Sequence, residues 1–336
     1  MAYLEEKGVA VVSALSSTGI CFGETAFVWA LQDDGGRCLL ESRNGSLRRI
    51  EISTGTVDIH DVLLAGGLMY LAATQDNAVM CLDGDYNCME KWQLPGEEDS
   101  SHLNSVALYK GRLLASVFGR FTKHREYKEG TRGRGQIIDI RSGEVLLEGL
   151  SQPHSLTVDG DLLYFCCSQD KTLYAYDGQR FVSSVLLPGY ARGVAIGENF
   201  IYVGLSLSRN VEPEQHELAS GAVAVIDRKT MAFTGVRKIP FREIYDLRII
   251  HRHLDLIGML AAQEGRIDAL NQLLTGKERQ NEVHNQAMAE CNAKIQDLEL
   301  LLAERNQRIA EITGTIFWRL AEPVRYMRRV FHKRNG

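Results

Sequence analysis

The stretch that decides the fold is Leu156-Thr-Val-Asp-Gly-Asp-Leu-Leu-Tyr-Phe165, two short apolar runs hinged on Asp159-Gly160-Asp161. An Asp-Gly pair between such runs signals a hairpin, because the tight turn needs backbone conformations that Gly and Asp supply. The same unit of strand, turn and strand recurs without a gap at Val62-Leu-Leu-Ala-Gly-Gly-Leu-Met-Tyr-Leu71, Val106-Ala-Leu-Tyr-Lys-Gly-Arg-Leu-Leu-Ala115 and Val194-Ala-Ile-Gly-Glu-Asn-Phe-Ile-Tyr-Val203. A third strand follows each unit (Ala78 to Leu82, Gln136 to Ile140, Thr172 to Tyr176, Ala222 to Ile226), then a turn and a fourth. Unit starts at 62, 106, 156 and 194 are spaced 44, 50 and 38 residues apart. That length suits a four-stranded propeller blade, which buries its faces only against its neighbours.

Two partial units flank this series. Ala26 to Gly55 reads as a further blade, and Glu243-Ile-Tyr-Asp-Leu-Arg-Ile249 as an inner strand with nothing after it. Gly8 to Leu15 and Gly19 to Phe22 match the second and third strands of the repeat, so strands from both ends are expected to share the last blade. Such closure removes the sheet edges that invite aggregation. The expectation is an all-β propeller of six blades, counted to within one, over residues 1–250. From Leu254 onward Gly becomes rare, Pro is absent until Pro323, and Ala, Glu, Gln, Leu and Arg dominate. Residues 251–312 therefore read as a helical, coiled-coil segment and residues 313–336 as a basic tail.

The 336 residues are 45% hydrophobic and 24% charged, the profile of a globular protein with a real core. A net charge of −5 gives no reason to propose nucleic-acid binding. No run approaches 18 apolar residues, and Glu5 and Glu6 stand where a signal peptide would be basic, so the cytoplasm is the expected compartment. Seven cysteines without paired CxxC spacing read as buried thiols.

His102-Leu-Asn104, Gly149-Leu-Ser-Gln-Pro-His154-Ser155, Leu187-Pro-Gly-Tyr-Ala-Arg192-Gly193, Val203-Gly-Leu-Ser206 and Glu243-Ile-Tyr-Asp246 form an ordered set that resembles an uncharacterised bacterial propeller family, a domain of unknown function. The resemblance spans roughly residues 57 to 250; it implies a propeller and supplies no reaction.

The repeat register places residues at the central channel. Two positions before Val62, Val106, Leu156, Val194 and Leu247 stand His60, Asn104, His154, Arg192 and Tyr245; four before stand Asp58, His102, Gln152, Tyr190 and Glu243. Alternate strand residues share a face, so these should form two rungs near the channel mouth. In the first blade the equivalent is Phe27 or Trp29. Polar residues in a wet channel need no function. Three imidazoles, a guanidinium and two carboxylates converging on one mouth nevertheless suit an anionic sugar or a divalent ion. On that reading His60, His154 and Glu243 are ion ligands or acid/base groups, and Arg192 holds an anion. Two insertions are expected over the same mouth. Arg120 to Arg134, with Lys123, Arg125, Arg132 and Arg134, is either a lid attracting a phosphate, nucleotide-sugar or acidic glycan or a solvated loop; Leu207 to Ser220 includes His216.

Heptads with Met288, Ile295, Leu302 and Ile309 at a and Cys291, Leu298, Arg305 and Ile312 at d indicate a homo-oligomeric coiled coil, or else a helix folded back on the propeller. Upstream, Gly276 and Lys277 suit a break into two helices. From Phe317 the tail holds Arg319, Arg325, Arg328, Arg329, Lys333 and Arg334 against Glu322 alone. Trp318-Arg319, Pro323 and Arg325 resemble the ends of glycosyltransferases and methyltransferases of bacterial O-antigen and capsule assembly, over residues 295 to 334. Val324, Met327, Val330 and Phe331 share one side of a short helix among these cations, the pattern of an interfacial helix on anionic lipid at the inner membrane face; docking to such an enzyme is the alternative. The functional expectation is a propeller that binds a glycan or anionic sugar derivative in surface polysaccharide synthesis. Its rival is a metal-assisted sugar lyase, hydrolase or epimerase. No nucleophile elbow, Walker loop or dinucleotide fingerprint is present.

Overall fold

A computed structural model describes residues 2–5, 8–11, 16–23, 26–32, 37–43, 46–52, 57–207, 220–250, 253–314 and 321–334. The chain divides into two compact units, Met1–Arg266 and Ile267–Gly336. A hairpin of β1 (Ala2–Glu5) and β2 (Gly8–Val11) comes first and forms a separate two-stranded sheet. Five four-stranded antiparallel sheets follow, each built of strands consecutive in sequence. Blade I is β3 (Ser17–Phe22), β4 (Ala26–Leu31), β5 (Cys38–Arg43) and β6 (Ser46–Glu51). Blade II is β7 (Ile59–Ala65), β8 (Leu68–Ala73), β9 (Ala78–Leu82) and β10 (Cys88–Gln93). Blade III is β11 (Ser105–Tyr109), β12 (Arg112–Val117), β13 (Gly135–Asp139) and β14 (Val145–Leu150). Blade IV is β15 (Pro153–Asp159), β16 (Leu162–Cys167), β17 (Thr172–Tyr176) and β18 (Phe181–Leu186). Blade V is β19 (Tyr190–Ile196), β20 (Phe200–Ser206), β21 (Ala222–Asp227) and β22 (Phe233–Lys238).

The molecule is thus a five-bladed propeller, not the six-bladed one expected. Gly19 to Phe22, read as the third strand of a shared last blade, lies in the inner strand of blade I, with Ala26–Leu31 as the second strand. Gly8 to Leu15, read as the second strand of that shared blade, contributes β2 to the separate hairpin, its residues 12–15 lying outside the described residues. Residues 243–249 occupy an inner position but have no strand ladder, and among the described residues no blade lies outside them. Helix α1 (His253–Gly314) begins too soon after this segment to leave residues for further strands.

The core lies in the seams between blades. Val28, Leu39 and Ile50 of blade I meet Val62, Leu71 and Met80 of blade II, and comparable clusters fill the next three seams. The last seam is filled by the lone segment: Ile244 and Leu247 pack with Val223 of blade V, while Ile250 packs against Phe27, Trp29 and Leu31 of blade I. Phe27 and Trp29, the channel candidates of the first blade, are stacked at 4.6 Å in this apolar seam instead.

A repeating polar belt ties neighbouring inner segments together. Asp61 accepts from Val106 N–H at 3.0 Å, Ser105 Oγ from Leu156 N–H at 2.9 Å, Ser155 Oγ from Gly193 N–H at 2.7 Å, and Asp246 from Ile20 N–H at 2.9 Å. Asp61, Ser105, Ser155 and Asp246 hold the same place in the repeat, one residue before its first apolar position. A second belt runs from hydroxyls to carbonyls: Thr18 donates to Ile59 O, Thr74 to Leu103 O at 2.6 Å, Ser168 to Ala191 O at 2.7 Å and Ser206 to Ile244 O at 3.0 Å. Residues 243–249 are therefore a sixth inner segment without a blade, and Asp246 carries the ring from blade V back to blade I. At the matching place in blade V stands Gly193, with φ 72°, where a Cβ would lie 3.0 Å from the Asp246 backbone.

In the second unit, α1 runs unbroken through Gly276 and Lys277, so the expected interruption does not occur. A second helix, α2 (Glu322–Arg334), carries the basic tail, with Val324, Met327 and Val330 exposed. Trp318 and Arg319 lie outside the described residues. Among the described residues no helix is long and apolar enough to cross a membrane.

Candidate functional site

The inner segments enclose a cavity of about 720 Å³. Asp58, His60, His102, Asn104, His154, Tyr190, Arg192, Glu243 and Tyr245 all line it, with Gln152. Their placement rests on more than strand alternation. Asp58, His102 and Gln152, at the same repeat position in three blades, have φ of 39°, 47° and 57°, a left-handed conformation uncommon outside glycine. Register shifts at Ile59/Asp61, His154/Thr157 and Arg192/Val194 put a bulge at the same place in three inner strands. A bulge turns the flanking side chains out of simple alternation, and here it coincides with His60, His154 and Arg192.

Arg192 dominates one wall. Its Cζ lies 5.2 Å from the Tyr190 ring centre and 5.3 Å from that of Tyr245, and its Nη1 is 4.0 Å from Glu243 Oε2. Its Nε is buried without a hydrogen-bond partner, as is Gln152 Oε1, whose amide nitrogen donates to Thr131 at 2.8 Å. A buried donor and a buried acceptor are thus left unsatisfied at one cavity, at a cost that a bound polar molecule would relieve.

The opposite wall is organised by Asp99, which lies between blades II and III and belongs to no rung of the repeat. Its carboxylate takes a hydrogen bond from His102 Nδ1 at 2.9 Å, from Arg125 Nε at 2.7 Å and from the Tyr127 hydroxyl at 2.9 Å. Burial pushes the Asp99 carboxyl up, but these three donors outweigh it and hold it down at about 2. Burial lowers the His102 imidazole to about 4 against the opposing pull of Asp99. His154 is likewise held well below the usual range, first by burial and then by Arg192; its Nδ1 is 2.9 Å from Gln152 O and 2.6 Å from Ser168 Oγ. With Nδ1–H donating to Asp99 and to Gln152 O, both neutral rings carry their lone pair on Nε2.

The three candidate ion ligands do not come together as a metal centre. Among the described residues no group of three or more His, Cys, Asp or Glu is arranged to hold a metal. His154 is engaged through Nδ1, Glu243 faces Arg192, and His60 Nε2 lies 3.3 Å from Asp58. Of the four lid cations only Arg125 borders the cavity, joined there by Lys128 of a 3-10 turn (Glu126–Glu129). Arg134 lies over the Phe121 ring at a separate groove, Arg132 faces Asp170 at 3.9 Å, and Lys123 is exposed. The insertion is a folded wall pinned by Asp99. Residues 208–219 of the second insertion, with His216, lie outside the described residues.

At the floor, Arg248 pairs with Asp246 at 2.5 Å and lies 3.8 Å from Asp61. Burial pushes both carboxyls up in pKa. Sequence reasoning passed over Asp61, Asp99 and Arg248. Asp61 and Asp246 had a usable signal in their shared repeat position; Asp99 had none.

Residues 9–255 match the family described as Domain of unknown function (DUF4915). The chain belongs to this family. No curated protein matches the sequence. Solved structures resemble the DUF4915 chain in fold at low identity. One from a nidogen–laminin complex is 11% identical over 73% of this chain and 89% of its own, with a TM-score of 0.53. A calcium-binding protein, regucalcin, from Agrobacterium tumefaciens strain C58 is 16% identical over 70% of this chain and 78% of its own, with a TM-score of 0.49. A computationally designed protein, Ika8, is 15% identical over 70% of this chain, which spans 65% of that protein's length, with a TM-score of 0.45.

Proposed function

We propose that the propeller binds a glycan or anionic sugar derivative in its central cavity. The observation that carries this reading is Arg192, a guanidinium between two tyrosine rings with a buried, unpartnered Nε. A carboxylate or phosphate satisfies that donor. Tyrosine faces suit the apolar face of a sugar ring, while Gln152 Oε1 and the neutral imidazoles of His102 and His154 suit its hydroxyl donors. Asp99 is satisfied by Arg125, Tyr127 and His102, and Asp61 and Asp246 by Arg248; Glu243, 4.0 Å from Arg192 Nη1, offsets part of the Arg192 charge but leaves its Nε for the ligand.

The setting we propose is surface polysaccharide assembly at the inner membrane face. It is supported by the likeness of the tail to those of O-antigen and capsule enzymes and by the exposed apolar side of α2. A second reading, acid–base catalysis on the bound sugar, is favoured by the Asp99–His102 pair, which orients a neutral imidazole at the cavity.

Titration calorimetry with glucuronate, galacturonate, UDP-glucuronate, UDP-glucose and glucose tests the binding reading. The acidic members should bind and glucose should not, and Arg192→Gln should weaken binding about 10- to 100-fold, the worth of one charge-assisted hydrogen bond. Equal binding by wild type and Arg192→Gln would reject it. Turnover of a bound member that stops in His102→Gln would establish the second reading.

A further inference from the structure

We infer that residues 288–312 of α1 pair with the same segment of a second copy of this chain, as a parallel, in-register, two-stranded coiled coil. The starting observation is an exposed apolar stripe along the described residues of this helix. Met288, Ile295, Leu302 and Ile309 at a, with Leu298 and Ile312 at d, have between 52% and 66% of their surface exposed. Six large apolar side chains in water on one helix forgo roughly 1.5–3 kcal/mol each relative to burial, and isolated helices gain most of their stability from packing such a face.

A partner that matches this stripe must repeat every 3.5 residues over the same length, and the segment itself meets that condition. Two features bear on the orientation. In a parallel pair the g residue of one heptad lies beside the e residue of the partner's next heptad, which sets Lys294 of each copy against Glu299 of the other. In an antiparallel pair whose layers match along this segment, g meets g and e meets e. Lys294 would then face Arg308, and Glu299 its own counterpart. Ile295 and Ile309 at a with Leu298 at d follow the parallel two-stranded preference, against which stand Leu302 at a and Ile312 at d. Arg305 at d is the one charged layer. Its aliphatic stem packs while its charge reaches water, which lowers affinity without removing the seam.

The register makes a geometric statement about Cys291. It is an exposed free thiol at d. In the parallel pair it faces its own counterpart, whereas in the antiparallel pair the two thiols are 18 residues apart along the axis, about 27 Å at 1.5 Å per residue.

The experiment uses the full chain. Sedimentation equilibrium should give twice the chain mass of 37.6 kDa. A short bismaleimide should join the two copies, and Cys291→Ala should abolish the covalent dimer, which separates it from reaction at the half-buried Cys88. Lys294→Glu and Glu299→Lys should each weaken association about tenfold, and the double exchange should restore it. Leu298→Asp should give a monomer whose propeller melts at the wild-type temperature. A monomeric wild type, a larger oligomer, a dimer that does not cross-link, or tighter association in Lys294→Glu would each overturn the inference.

Discussion

Replacing Asp246 by Ala tests whether residues 243–249 close the ring. The carboxylate accepts Ile20 N–H at 2.9 Å and Leu247 N–H at 2.8 Å and pairs with Arg248 at 2.5 Å. Its removal strands the Ile20 donor at the blade I seam, worth about 1–3 kcal/mol. It also leaves Arg248 with Asp61, at 3.8 Å, as its remaining ion pair among the described residues, beside its hydrogen bond to Leu247 O at 3.0 Å. Breaking a buried ion pair on one side costs about 3–5 kcal/mol; Arg248 keeps that second partner and is 29% exposed, which places the total near the lower end, about 3 kcal/mol. Asp246→Asn should cost about 1 kcal/mol less than Asp246→Ala, the worth of the Ile20 hydrogen bond that it keeps. The amide oxygen can still accept Ile20 N–H, whereas its NH2 then faces Leu247 N–H and Arg248, so Asn keeps the hydrogen bond across the seam and loses the ion pair. Urea unfolding followed by tryptophan fluorescence, with Trp29 buried in the affected seam, measures both variants. An Asp246→Ala loss below 1 kcal/mol, or equal losses for Ala and Asn, would refute the closing role.

Gly193→Ala should destabilise by more than 1 kcal/mol in the same assay, because it adds a Cβ 3.0 Å from the Asp246 backbone at φ 72°; a neutral effect would mean that the segment does not press on blade V. His102 is buried with its pKa depressed from 6.5 to about 4, so its contribution is fully present above pH 6.5 and lost as pH falls toward 4. Across that window stability should fall by up to about 3 kcal/mol on its account, and His102→Asn should flatten the decline; an unchanged slope would contradict the assignment. If α2 is a membrane helix, the full chain should co-sediment with vesicles of phosphatidylglycerol and not of phosphatidylcholine, more weakly as salt rises, and deletion of residues 314–336 should abolish binding. Binding that survives the deletion would place the contact elsewhere.

The propeller was legible because its repeat is written in hairpins. Asp159-Gly160 and Gly66-Gly67 mark turns, and the apolar positions around Val62, Val106, Leu156 and Val194 fall in one frame. The blade count failed at the two places where that frame and the fold part company. Ser17–Phe22 precedes a connection without the usual turn pair, so its role as an inner strand was hidden. Residues 243–249 carry the inner-segment signature in full, with Asp246 at the position of Asp61, yet they hold the seam through side-chain hydrogen bonds and apolar packing rather than a ladder. A signature for inner position was read as a signature for a blade. The cavity residues were found by the same frame, since His60, His154 and Arg192 sit at one repeat offset. Asp99 was not, because a residue in a connection acquires its neighbours, His102, Arg125 and Tyr127, only when the 120–134 insertion folds over it.

We propose that the cavity around Arg192 receives the anionic group of a sugar derivative. A crystal structure of the protein with the tightest-binding acidic member of the calorimetric panel tests it most directly. The carboxylate or phosphate should lie within about 3 Å of the Arg192 guanidinium, its sugar ring against Tyr190 or Tyr245 and a hydroxyl on Gln152 Oε1. A ligand bound instead in the groove beside Arg134, or on the outer strands of the blades with Arg192 unchanged, would contradict it.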